Sequence, residues 1–429
     1  MKLNKRYARS IRSNLSFYVS STILTVMTLF LFFMMNIAGK AIWEFGDKFF
    51  ETQQVEDANF TTYLPISEEE MQALEGEYGV NIEKQYYSNI ETGEVTTRVF
   101  KKTKDINLYS ITEGKDLEKN SDVIISEGYA VHNKIDIGDE ITIGDYIYTI
   151  TGFFQRPDYL YMLQNENDSY KNVTTFFLAY VTDEEYERIG SENSLYLIQY
   201  EKDNQAEFRK AVNEKYHMRT YLSASENMRI DMVKMQAEMF VAVSYIILVI
   251  MPLIVVVLVS IVINRKVKSE QRMIGTLTAL GYKKGKLMLH YAGFAMIPGL
   301  LGGAFAVLFA KIFAQPFGEV GLQDYEPMRI QCHLEVVPAI LSVVIPTILY
   351  VLAAINSVNK LLKKDTVLLL NGNAESGEKG YRKLLVKSNV SFRVKYALRS
   401  LVGNPSRSFV VFLGIFLGSY IVLLGYSLF

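Results

Sequence analysis

Apolar residues in this chain gather into five long runs, at 17–38, 239–263, 287–313, 336–358 and 409–428. Each reaches the roughly 20 residues a helix needs to cross a ~30 Å hydrocarbon core. Between the first two runs lie almost 200 residues of mixed pattern, in which short alternating stretches predict strands and 3.6-period stretches predict helices. The pattern predicts a membrane protein: an α-helical bundle of five transmembrane helices, with an α+β extracytoplasmic domain inserted between the first and the second.

Within that domain the local signals are specific. Ser67, followed by Glu68, Glu69 and Glu70, forms a capping box that opens a helix, and Gly79 should end it. Strand-like alternation covers 81–87 and 94–102, with a turn at Glu91–Thr92–Gly93. A strand is expected at 122–125, a short helix at 126–133, and a hairpin of 139–143 with 146–154 turning at Gly144 and Asp145. Another strand should cover 176–181. Thr182 opens a second capping box, closed by Gly190, and 195–200 is strand-like. From 204 to 238 the pattern is helical without Pro or Gly and predicts a stalk continuous with the second membrane helix. The alternative is a domain helix that breaks near 223–225. At 1.5 Å per residue, half of such a stalk would span ~25 Å.

Charge orders these elements about a membrane. Residues 1–14 carry five bases (Lys2, Lys5, Arg6, Arg9, Arg12) and no acid; 264–286 carries seven bases and one acid; 359–408 carries eleven bases and three acids. Residues 44–238 hold 38 acids and 19 bases. The positive-inside rule puts the three basic segments in the cytoplasm and the acidic domain, with the short 314–335 loop, on the other side. Simple alternation of the spans gives the same answer. The first run is too long for the apolar core of a signal peptide and lacks a clean small-x-small site, so it is expected to remain as an anchor.

The segment 264–286 holds the strongest candidate site. Its middle, about 269–280, reads as an amphipathic helix with Met273, Ile274, Leu277 and Leu280 at helical spacing and Gly281 as its stop. Such a helix either docks a partner or lies in the headgroup region, where its bases would meet anionic lipid at ~1 kcal/mol each. Pro298, Gly299, Gly302 and Gly303 in the third run predict a kink or close helix packing. A weak repeat relates 5–14 to 395–404; each is basic, amphipathic and placed before a membrane run, as an interfacial helix would be. The fifth run would then open a second copy of the first unit, so the chain is expected to be a fragment of a longer two-unit protein or a degenerate one.

The remaining chemistry is sparse. The single cysteine, Cys332, allows no intrachain disulfide, and the four histidines do not cluster, so no metal is expected. No P-loop, GxSxG, HExxH or kinase signature occurs, so no catalytic residue and no bound cofactor is expected in this chain.

The stretch 270–281, EQRMIGTLTALG, resembles the segment after the second membrane helix of FtsX/MacB-like ABC-transporter permeases, where E-x-R-E-I-G-x-L-R-A-L-G is typical. Residues 122–154 look like the external domain of MacB-type proteins. The basic stretch 360–369 resembles the family's D-P-V-x-x-L segment. Met273 and Thr278 replace the family's acid and arginine, and the frame is otherwise kept. The resemblance implies that Glu270, Arg272, Ile274, Gly275, Leu277, Ala279, Leu280 and Gly281 form a coupling helix seated in a groove of a separate cytoplasmic ATPase subunit, which binds the ATP and Mg²⁺. Ile274, Leu277 and Leu280 would anchor it; Gly275 and Ala279 would let it approach closely.

The implied organisation is 1–43, basic segment and first helix; 44–238, extracytoplasmic MacB-like domain with stalk; 239–362, FtsX-like permease domain; 363–408, linker and amphipathic helix; and 409–429, fifth helix. The expected partners are the ATPase, the lipid bilayer, a second permease half or copy, and an extracytoplasmic peptide or protein, with no nucleic acid. Three functions follow: export or extraction of a peptide, antibiotic or lipid-like substrate; transmission of force or signal to a cell-wall enzyme or sensor without transport; or, in another class, a receptor with no ATPase.

Overall fold

The computed structural model describes residues 15–363, apart from 166, 167, 169, 191 and 192, and four isolated positions beyond. The basic segments at 5–14 and 395–404 and, apart from positions 412 and 419, the fifth run at 409–428 lie outside the described residues. The chain divides into two compact units: residues 37–241 with 315–332, and the remainder, 1–36, 242–314 and 333–429.

Among the described residues four helices are long and apolar enough to cross a membrane, over Ser21–Thr52, Met228–Ile250, Lys284–Val320 and Val336–Leu362. They belong to α1 (Leu15–Thr52), α6 (Met228–Ser269), α8 (Lys284–Val320) and α9 (Val336–Leu362). These helices outrun the apolar runs that announce them, because polar ends cost a helix nothing once it leaves hydrocarbon. The boundaries expected at 43/44 and 238/239 therefore fall inside single helices. In the helical unit, Tyr18, Ile263, Leu287, Tyr291, Phe294 and Tyr350 share one buried cluster. Glycine brings the backbones together: a Cβ at Gly302 would lie 2.6 Å from Thr25 Cβ, and one at Gly303 2.6 Å from Val343 Cγ1. The small-residue stretch after Pro298 thus serves close packing, and α8 continues through it.

The other unit is built on a ten-stranded mixed sheet of order β10-β1-β9-β2-β3-β8-β5-β7-β4, with β6 beside β7. Its strands are β1 (Ala58–Thr62), β2 (Val80–Thr92), β3 (Val95–Phe100), β4 (Ser110–Gly114), β5 (Asp122–Ser126), β6 (Glu140–Ile143), β7 (Tyr146–Gln155), β8 (Phe176–Tyr180), β9 (Asn193–Tyr200) and β10 (Met218–Ser223). The hairpins turn where expected, with Gly93 at φ 64° and Gly144 at φ 63° supplying the positive dihedral the turns require. Ser67 and Glu70 close the reciprocal capping box on α2 (Glu68–Tyr78), which ends at Gly79 with φ 59°. The helices α3 (Glu127–Asn133) and α4 (Asp183–Ile189) also fall where the pattern put them.

The continuous stalk is not what forms. Helix α5 (Gln205–Tyr216) stops at His217, which takes a left-handed φ of 52°, and the chain turns back as β10. That strand pairs antiparallel with β1, Phe60 opposite Tyr221, and the membrane-length helix begins afresh at Met228. Helix propensity without Gly or Pro loses here to a long-range pairing that satisfies the backbone of two strands and buries Phe60 fully.

Where a short loop is expected, at 314–335, helix α8 runs on to Val320, and residues 315–332 pack into the sheet unit. Glu326 N–H donates to Leu160 O at 2.9 Å, and Gln155 Nε2 donates to Pro327 O at 2.7 Å. Arg329 pairs with the buried Glu127 at 2.8 Å, and Lys171 with Asp324 at 2.7 Å.

Candidate functional site

The stretch 264–286 folds as a helix end, a short helix and a helix start. Helix α6 closes at Ser269, whose hydroxyl donates to Lys266 O at 2.9 Å. Glu270, with φ −95° and ψ 10°, caps α7 (Gln271–Ala279), and its backbone carbonyl accepts from Ile274 N–H at 3.0 Å. At the far end Tyr282 N–H donates to Leu277 O at 3.0 Å and Gly281 N–H to Thr278 O at 3.1 Å. That pair of bonds is a Schellman stop, and Gly281 at φ 82° provides its left-handed residue. The sequence boundaries of about 269–281 therefore correspond to the helix with its two caps.

Side chains divide sharply around α7. Ile274 is fully buried and belongs to the cluster of Tyr291, Phe294 and Val358; Leu277 packs on the same cluster half-buried. Gln271 and Gly275 are buried beside Ile274. On the opposite side Arg272, Thr276, Ala279 and Leu280 are exposed, Leu280 by 71%. These four lie at i, i+4, i+7 and i+8, so they form one continuous stripe. Exposed Lys268, Lys283, Lys284 and Lys286 flank it.

The stripe differs from the anchoring set read from the sequence. Ile274 and Leu277 hold the helix to its own chain, and Gly275 is buried beside them; Arg272, Ala279, Leu280 and Gly281 are the expected residues that face outward. Periodicity reports that a helix has two faces but not which one the rest of the chain covers. Thr278, at the position of the family's arginine, turns its hydroxyl back to Ile274 O at 2.8 Å.

Glu270 points the other way, into the chain. Its Oε2 accepts the Tyr291 hydroxyl at 2.5 Å, and its Oε1 lies 3.9 Å from Lys266 Nζ. Lys266 is 9% exposed and sits 4.0 Å from the Phe294 ring centroid, a cation–π contact. Sequence reasoning missed Tyr291 and Lys266; their signal was aromatic and basic residues near membrane-run ends, which is common to most such helices. The arrangement places no nucleophile–base pair on the stripe. What it offers is an apolar and cationic helix face of the kind that seats in a groove.

Residues 244–366, which span this segment and the helices around it, match the family model described as FtsX-like permease C-terminal. The chain thus carries an FtsX-like permease C-terminal domain over these residues. Members are membrane permease subunits of ABC type rather than enzymes themselves, and they typically pair with an ABC ATPase. A search of curated proteins returns no match.

Proposed function

We propose that this chain is the permease subunit of an ABC transporter in which α7 couples a separate cytoplasmic ATPase to the membrane helices. The carrying observation is the exposed stripe Arg272–Thr276–Ala279–Leu280 on a helix whose other face is locked into the chain's own core. A rigidly backed stripe transmits displacement; a helix free on both faces would absorb it. The basic charge of 264–286 supports a cytoplasmic position for α7, which leaves the sheet unit extracytoplasmic. ATP and Mg²⁺ belong to the partner. A second permease half or copy completes the membrane part, and the substrate is a peptide, an antibiotic or a lipid-like molecule.

The experiment is capture of the P-loop ATPase subunit by the detergent-solubilised chain. Leu280→Asp should abolish capture while thermal unfolding stays unchanged. Capture that survives Leu280→Asp together with Ala279→Trp would remove α7 as the coupling element.

A second reading is favoured by the strap 315–332, which begins with the last turns of α8 and is tied into the sheet unit by Glu127–Arg329 and Gln155–Pro327. In it the same ATP-driven motion acts on the sheet domain itself, as force or signal delivered to a cell-wall enzyme or sensor, with no substrate crossing. Substrate-stimulated ATPase activity separates the two.

A further inference from the structure

The sheet unit holds a polar cavity of ≈ 290 Å³. Three arginines line it, and all are buried: Arg98 is 6%, Arg156 1% and Arg229 8% exposed. Arg156 is compensated within the fold. Its Nε and Nη2 fork onto Asp158 at 2.8 Å each, Nη1 donates to Tyr180 Oη at 2.6 Å, and the guanidinium lies 4.0 Å from the Phe100 ring centroid.

Arg98 and Arg229 are held differently. Arg98 donates to Asn89 Oδ1 at 2.8 Å and to the Tyr159 hydroxyl at 2.5 Å. Arg229 donates to the carbonyls of Leu163 and Gln164, both at 2.9 Å, with its guanidinium 4.5 Å from the Tyr159 ring centroid. Every one of these acceptors is neutral, and among the described residues neither arginine is paired with a carboxylate. A guanidinium carries five N–H donors, so each retains donors beyond the bonds that fix its plane.

The remaining acid, Glu56, offsets little of this charge. It is 2% exposed, and its carboxylate accepts from Asn59 at 2.7 Å and Asn107 at 2.8 Å. Burial pushes its carboxyl up to about 7. Asp158 is already committed to Arg156. The cavity is therefore cationic, and an uncompensated buried guanidinium is costly unless an anion meets it.

We infer that this cavity binds a small anionic solute whose carboxylate or phosphate head lies between Arg98 and Arg229, with the amides of Asn59 and Asn165 meeting its neutral part. Forked guanidiniums match both oxyanions. The volume lies at the lower edge of the ~300–1,000 Å³ typical of small-molecule pockets. Arg229 stands in the first turn of α6, two residues after the lining residue Asn227, so an occupant bears on the start of a membrane-length helix. This inference is independent of the ATPase assignment.

The test is calorimetric titration of the full chain in detergent micelles with sodium succinate and with inorganic phosphate. Succinamide serves as the neutral analogue, and chloride holds ionic strength constant. Succinate, phosphate or both should bind saturably and raise the thermal midpoint, whereas succinamide should do neither. A response to one anion alone assigns the head group as carboxylate or phosphate. Arg98→Gln and Arg229→Gln should each weaken binding about tenfold or more. Arg98→Lys and Arg229→Lys, which keep the charge and lose the fork, protect the test against misfolding and should also bind more weakly. The inference is overturned if neither anion saturates, if succinamide matches the anions, or if folded variants bind as the parent does.

Discussion

The Tyr291 hydroxyl donates to Glu270 Oε2 at 2.5 Å, joining the residue that caps the short helix α7 to the first turns of α8. A hydrogen bond to a charged acceptor is worth about 1.5–3 kcal/mol, and partial exposure of Glu270 places this one near the lower end. Tyr291→Phe should therefore lower stability by about 1–2 kcal/mol. It should also reduce ATPase stimulation more than ATPase capture, since the stripe survives while its backing loosens. Stimulation and capture measured side by side decide this; equal losses in both would contradict it.

The two faces of α7 should separate experimentally. Ile274→Ala removes a fully buried side chain and should cost about 2–4 kcal/mol, read as a lower thermal midpoint. Arg272→Glu on the exposed stripe should stay within about 0.5 kcal/mol of the parent and lose ATPase capture. An unchanged midpoint in Ile274→Ala would mean that the helix is not seated as described.

Close approach in the helical unit predicts intolerance at Gly302. Any Cβ there meets Thr25, so Gly302→Val should destabilise by at least about 1–3 kcal/mol. Gly285, whose Cβ would meet nothing within 4 Å, is the control. Gly285→Ala should be neutral or stabilising by up to about 1 kcal/mol. Thermal unfolding of both variants in one detergent checks the pair.

Glu326 makes the strap 315–332 sensitive to pH. Its Oε2 accepts from Gly128 N–H at 2.7 Å, its Oε1 has no hydrogen-bond partner among the described residues, and burial beside Glu127 pushes its carboxyl from 4.5 up to about 8. Lys171 opposes that rise, and Arg329 is spent on Glu127. The folded state holds a proton that the unfolded state releases near 4.5, so this group's contribution to stability falls as pH rises from about 4.5 through 8. Glu326→Gln should flatten that part of the stability profile and exceed the parent at pH 8, by on the order of a few kcal/mol. Parallel profiles would refute the assignment. The cavity acid Glu56 adds a slope of the same sign, present in both proteins.

Much of this molecule is written in short-range pattern. The four described membrane-length helices, the Ser67–Glu70 cap, the hairpins at Gly93 and Gly144 and the α7 segment with its Gly281 stop each depend on residues within a few positions of one another. Periodicity, turn chemistry and capping act over that range, so the sequence by itself determined them, together with the family frame of 270–281. Tertiary structure alone decided the rest. Strand β10 forms because β1 lies beside it, overriding a helical pattern, and 315–332 becomes a strap because Glu127, Gln155 and Leu160 await it. Ile274 turns inward and Leu280 outward because α8 and α9 cover one face of α7 and leave the other. Arg98, Arg156 and Arg229 are scattered along the chain and meet only when the sheet closes around them. A buried charge gives no local signature; its neighbours are chosen by the fold.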